Sequence, residues 1–103
     1  MFYALICTDK PGALAARKEN RPAHLAYLES LGEALVFAGP FTETDGQTMN
    51  GSFIVIEAAS LEAAKEISAN DPFSKLGIFA SVDIRPWLCV ISKVPGLLSA
   101  CRF

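Results

Sequence analysis

The chain has 103 residues, 51% hydrophobic and 19% charged, with 9 Lys and Arg against 11 Asp and Glu and a net charge of −2. That length gives one domain, and the composition excludes intrinsic disorder and collagen-like or low-complexity character. The charge balance leaves no basic footprint for DNA or RNA.

The mean hydropathy is +0.33, high enough to require a test for membrane segments. The apolar run Phe2–Cys7 is too short for a span, and no basic stretch precedes it as a secretory signal would require. The expected setting is therefore cytoplasmic, and the excess apolarity is assigned to an oligomer interface or a dry pocket. Cys7, Cys89 and Cys101 are an odd count at wide spacings, with one histidine and no C-x-x-C. Neither a structural metal site nor a disulfide framework is expected, and the thiols are taken as reduced.

Phe2–Thr8 is apolar and aromatic and precedes the turn signal Asp9-Lys10-Pro11-Gly12, so it reads as a first strand. Ala13–Glu19 favours helix. Pro22 suits the first turn of a helix better than an interior, so a break is expected near Asn20 and a main helix over Pro22–Leu31, stopped by Gly32. Ala34–Phe41 and Gly51–Ala58 read as two strands of a hairpin across the polar loop Thr42–Asn50. Ser60 is a natural N-cap, and Leu61, Ala64 and Ile67 fall on one helical face. That second helix should end near Asn70, because Pro72 disfavours helix at Asp71. Leu76–Pro86 holds a fourth strand, with Ile78, Ala80, Val82 and Ile84 on one face and Phe79, Ser81, Asp83 and Arg85 on the other.

The order β-α-β-β-α-β is the split βαβ, ferredoxin-like pattern: an α+β sandwich with two helices on one face of a four-stranded antiparallel sheet. The other sheet face lies open. A homodimer with the sheets packed face to face is the economical way to cover it.

His24 shares a helical face with Leu28 and Leu31 and so points inward. Near the start of a helix it would be favoured as a neutral imidazole, the form a general base requires. Arg17 and Arg21 lie upstream and are candidates to hold an anionic group. Asp71 is either a turn residue or an acceptor that fixes the tautomer of His24. Gly39-Pro40-Phe41 and Asp71-Pro72-Phe73 are either turn-setting tripeptides or a pocket rim of Pro40, Phe41 and Phe73. No phosphate-binding loop, dinucleotide fingerprint or nucleophile elbow is present, and no cofactor or metal is expected.

Together the opening Phe2-Tyr3-Ala4-Leu5, Arg21-Pro22-Ala23-His24-Leu25, Ala38-Gly39-Pro40-Phe41, Asn70-Asp71-Pro72-Phe73 and Ile84-Arg85-Pro86-Trp87 resemble the YCII-related domain family over about residues 1–87. The resemblance implies a dimeric α+β barrel, similar in fold to muconolactone isomerase, with a chloromuconolactone dehalogenase among its relatives. It also implies a His–Asp active site, carried here by His24 as acid/base and Asp71 as its partner. After Trp87 the sequence departs from the family pattern: residues 88–103 are more apolar, and this extension is expected to pack over the pocket or across the dimer.

Two functions fit these residues. One is a cofactor-independent lyase, isomerase or dehalogenase acting on a small carbonyl, lactone or carboxylate compound. The other is a non-catalytic small-molecule-binding or dimerisation module. A shared fold cannot choose between them.

Overall fold

The computed structural model describes residues 1–94. Eight elements follow in order: β1 (Phe2–Asp9), α1 (Leu14–Ser30), a 3-10 turn (Gly32–Ala34), β2 (Leu35–Thr42), β3 (Met49–Glu57), α2 (Leu61–Ala69), α3 (Pro72–Lys75) and β4 (Phe79–Trp87). The four strands form one sheet in the order β2-β3-β1-β4, every pair antiparallel. This is the α+β ferredoxin-like arrangement. No helix among the described residues is long and apolar enough to cross a membrane.

The helices cover one sheet face. Tyr3, Leu5 and Cys7 of β1 alternate inward with Ile54 and Ile56 of β3 to meet Leu28 of α1, Ala64 of α2 and Phe73 of α3. Ser60 caps α2 by accepting from the Ala63 N–H at 3.1 Å, which fixes the start of that helix. Gly51 of β3 lies so close to the Cys7 carbonyl that an added Cβ would overlap it. This glycine holds β3 tight against β1.

Two expectations about these elements require correction. Helix α1 is continuous, with Pro22 inside it. The ring removes one backbone bond, to the Lys18 carbonyl, but Pro22 faces solvent and the turns on both sides are anchored by buried Arg17 and His24. His24 therefore sits in the second half of a long helix and draws nothing from a helix N-terminus. Phe79 is 8% exposed and packs edge-on against Phe73, ring centroids 5.8 Å apart, on the helix side. The cause is a register shift: Thr8 pairs with Ser81 but Asp9 pairs with Phe79, so Ala80 is skipped and the strand changes phase. Val82 and Ile84 remain on the helix side, and Ser81, Asp83 and Arg85 are exposed or partly so.

The opposite sheet face carries an aromatic row. Phe37 and Phe41 of β2 both contact Phe53 of β3, at 5.7 and 5.8 Å between centroids. Trp87 at the end of β4 contacts Phe2 at 6.1 Å and Phe37 at 6.4 Å. Trp87, Leu88, Val90, Ile91 and Val94 are exposed. The expected packing of the extension falls partly on residues 95–103, outside the described residues. Cys7 is a buried free thiol. Cys89 is also buried but is disulfide-bonded, contrary to the expectation of reduced thiols throughout.

Candidate active site

Helix α1 presents a stripe at positions 17, 21, 24 and 28, one side of a helix with 3.6 residues per turn. Arg17, His24 and Leu28 on that stripe are buried. Asp71 arrives from the other half of the chain as the N-cap of α3, with Pro72 at the first helical position. Its short side chain caps by accepting the Phe73 N–H at 2.9 Å. The same oxygen, Oδ1, is 2.8 Å from Nδ1 of His24.

This shared oxygen fixes the direction of the bond. Oδ1 accepts from that amide N–H, and as a carboxylate oxygen it accepts from Nδ1 of His24 as well, so Nδ1 carries the proton of this bond. The other ring nitrogen, Nε2, then has a free lone pair. Phe73 lies flat against the imidazole, with centroids 4.0 Å apart and planes 7° from parallel. The ring is thus held along one edge by Asp71 and across one face by Phe73. His24 is 5% exposed and Asp71 3%.

A second polar group lies beside the first. Arg17 donates through Nε and Nη2 to both carboxylate oxygens of Asp9, at 2.6 and 2.9 Å, and through Nη2 to Oγ of Ser52 at 2.8 Å. Its guanidinium carbon lies 4.7 Å from the centroid of Phe73, within range of a cation–π contact. A buried arginine is tolerable only when paired in this way.

Arg17, His24 and Ser52 border a pocket of about 110 Å³ between α1 and the β2–β3 hairpin. Arg17, Arg21, His24, Leu25 and Leu28 line it from the helix, and Ala38, Gly39, Pro40, Ser52 and Ile54 from the strands. The lining is mostly apolar with a few convergent polar groups, the usual makeup of a small-molecule site. Its volume suits one ring or a short chain. A larger, more open depression lies elsewhere, beside Met1, Glu33 and Glu57, and contains none of these groups.

The structure brings Arg17, Arg21, His24 and Pro40 together around this pocket, and Asp71 bonds His24 without lining it. Arg21 is exposed and makes no ion pair among the described residues, so its charge is available at the mouth. Arg17 has its fork occupied by Asp9, which removes it as a candidate to hold an anionic group of a ligand. Phe73 is fully buried behind His24 and supports the ring without reaching the pocket. Phe41 faces the opposite side of the sheet, because neighbours on a strand alternate and Pro40 takes the pocket side. Sequence reasoning missed Asp9 and Ser52. Asp9 looked like a turn residue, and Ser52 carried no signal beyond its place in a strand.

The Cys7 thiol is pushed up to about 12 from an ordinary 9.0, mainly by burial and further by the charge of Asp71, against the lowering effect of Arg17. It is held as a neutral thiol and is no nucleophile.

Residues 1–88 match the model of the YCII-related domain. The chain belongs to that family. Protein YciI of Escherichia coli O6:H1 is 34% identical over 94 residues, covering 84% of this chain and 96% of that protein. A protein of the benzaldehyde-derivative biosynthesis cluster of Emericella nidulans, its protein C, is 39% identical over 72 residues, 62% of this chain and 74% of that protein. Among solved structures, 5-chloro-2-hydroxyhydroquinone dehydrochlorinase (TftG) from Burkholderia phenoliruptrix AC1100, in complex with 2,5-dihydroxybenzoquinone, has a TM-score of 0.78 and 39% identity. It covers 86% of this chain and 95% of its own. This YCII-family chain therefore shares its fold with a small-molecule enzyme.

Proposed function

We propose that the pocket is an acid/base active site in which His24 removes a proton from a small oxygenated ring compound. The observation that carries this reading is the His24–Asp71 bond, which leaves the Nε2 lone pair as the ring's free basic atom in a residue lining the pocket. Asp71 holds the tautomer and balances the positive charge that develops when Nε2 takes the proton. Arg21 attracts and orients an anionic oxygen of the substrate at the mouth. The reaction class is elimination or isomerisation without a cofactor. In the elimination, one hydroxyl proton of the substrate first shifts to the halogen-bearing carbon, giving the keto tautomer; Nε2 then takes the remaining hydroxyl proton, the second C=O forms, and the carbon–halogen bond breaks with its electron pair going to the halide. A halogenated hydroquinone thereby becomes a quinone with no external oxidant.

The dehydrochlorinase likeness, at 39% identity, supports a halogenated hydroxyhydroquinone as the first compound to try. The test is chloride release from 5-chloro-2-hydroxyhydroquinone by the wild-type chain and by His24→Ala. Release by the wild type that falls at least 100-fold in H24A is expected, within the range ascribed to general acid–base groups. Equal release by both proteins would refute the role of His24.

We also propose that two copies pair through the open sheet face. The support is the aromatic row of Phe2, Phe37, Phe41, Phe53 and Trp87, an apolar surface on a fold whose other face is already covered. Sedimentation at micromolar concentration should show a dimer, and a stable monomer would refute the pairing.

A further inference from the structure

We infer that Ser52 is the hydrogen-bond donor with which the pocket holds an oxygen atom of its ligand. The inference rests on the reading above that this pocket is the binding site. Ser52 faces the helices because it pairs with Cys7 in β1 and Pro40 in β2, and cross-strand partners share a face. It is 2% exposed, and it lines the pocket with His24.

A serine hydroxyl has one proton to give and two lone pairs. Arg17 occupies one lone pair with an N–H that can only donate. The serine proton must therefore point elsewhere, and among the described residues Ser52 Oγ donates no hydrogen bond. The oxygen is already partnered through Arg17, so its proton is free for a second bond. The open side of Ser52 is the pocket, so the partner that fits is an acceptor oxygen of the occupant: a carbonyl, phenolate or carboxylate.

The Arg17–Asp9 pair gives this donor its direction. Asp9 takes Nε and one N–H of Nη2, which fixes the guanidinium plane, and the remaining Nη2 proton then fixes the Ser52 oxygen. Arg17 is thus a positioning residue acting through Ser52. As His24 removes a proton, negative charge builds on the conjugated oxygen of the ring, and a donor already aimed at that oxygen stabilises it without reorganising.

The test compares two ligands on the wild type, Ser52→Ala and His24→Ala. One is 2,5-dihydroxybenzoquinone, which presents acceptor oxygens. The other is chlorobenzene, a ring of similar size without oxygen, whose affinity also reports an intact pocket. S52A should weaken the quinone about tenfold or more, as expected for a lost bond to a charged oxygen, and leave chlorobenzene within twofold. Quinone affinity unchanged in S52A, equal weakening of both ligands, or no quinone binding by the wild type would each overturn the inference. Loss of quinone affinity in S52A together with full chloride release by H24A would leave the Ser52 assignment standing and refute the acid/base reading alone.

Discussion

Replacing Asp71 separates charge from geometry at the proposed centre. In Asp71→Asn, the side-chain oxygen can keep both bonds now made by Oδ1, to Phe73 N–H and His24 Nδ1. Flipping the amide would set an N–H against the Phe73 N–H, so the oxygen stays in place. The charge is lost, and an NH2 group takes the place of Oδ2. A bond to a charged acceptor is worth about 1.5–3 kcal/mol and a neutral one about 1, so about 0.5–2 kcal/mol of stabilisation of the imidazolium disappears. That corresponds to roughly a tenfold fall in turnover. In Asp71→Ala, the cap is lost at a cost of about 1 kcal/mol, and the buried Nδ1–H of His24 is left without an acceptor at about 1–3 kcal/mol. D71A should therefore be destabilised by about 3 kcal/mol, while D71N stays within about 1 kcal/mol of wild type. Urea denaturation measures both. Because the chain has 1 histidine, a long-range ¹H–¹⁵N spectrum reads its tautomer without assignment. A proton on Nδ1 is expected in wild type and in D71N. A proton on Nε2 in either protein, or D71N as unstable as D71A, would refute the reasoning.

Arg17→Met should cost about 3–5 kcal/mol because it strands buried Asp9; adding Asp9→Leu should recover most of that, and thermal melts of both variants check it. Gly51→Ala should destabilise by at least about 1–3 kcal/mol, since its methyl group meets the fixed carbonyl of Cys7, and a change near zero would mean the strands can part. Cys7 should resist iodoacetamide at pH 8 in the folded protein, and fast alkylation there would contradict its burial. Its pH linkage follows from a folded value near 12 against 9.0 for the ordinary thiol: between these the unfolded chain releases the proton while the folded chain keeps it. This contribution to stability is complete below pH 9 and is lost as pH rises toward 12, which urea midpoints across that range would show.

The fold was legible because its signals are local and agree with one another. Apolar alternation marks β1 and β3, Ser60 starts α2, and Asn70-Asp71-Pro72 ends it. What misled were residues whose local rule lost to tertiary contacts. Pro22 reads as a helix start, yet buried residues on either side of it hold α1 together across the missing bond. Phe79 reads as outward by strict alternation, yet one skipped residue opposite Asp9 turns it inward onto Phe73. A bulge shifts one residue and leaves the composition untouched, so periodicity alone does not register it.

The roles of the charged residues were less legible, because a charge acts according to what neutralises it. Arg17 and Arg21 looked equivalent in the sequence, one helical turn apart on one face. The fold separates them by burial. Arg17 lies deeper, where an unpaired cation is too costly, and the aspartate that pairs it comes from the end of β1. Arg21 remains at the surface with its donors free. The same principle sorts the aspartates: Asp9 is consumed by an arginine and can only orient, whereas Asp71 faces an imidazole and leaves the charge of that ring free to change. Acid/base work requires a carboxylate paired to a group that can gain and lose a proton at neutral pH, and among the side chains paired here only His24 has that capacity. The division of labour therefore depends on which residue meets which aspartate, a matter of tertiary pairing that no count of charges in the sequence contains.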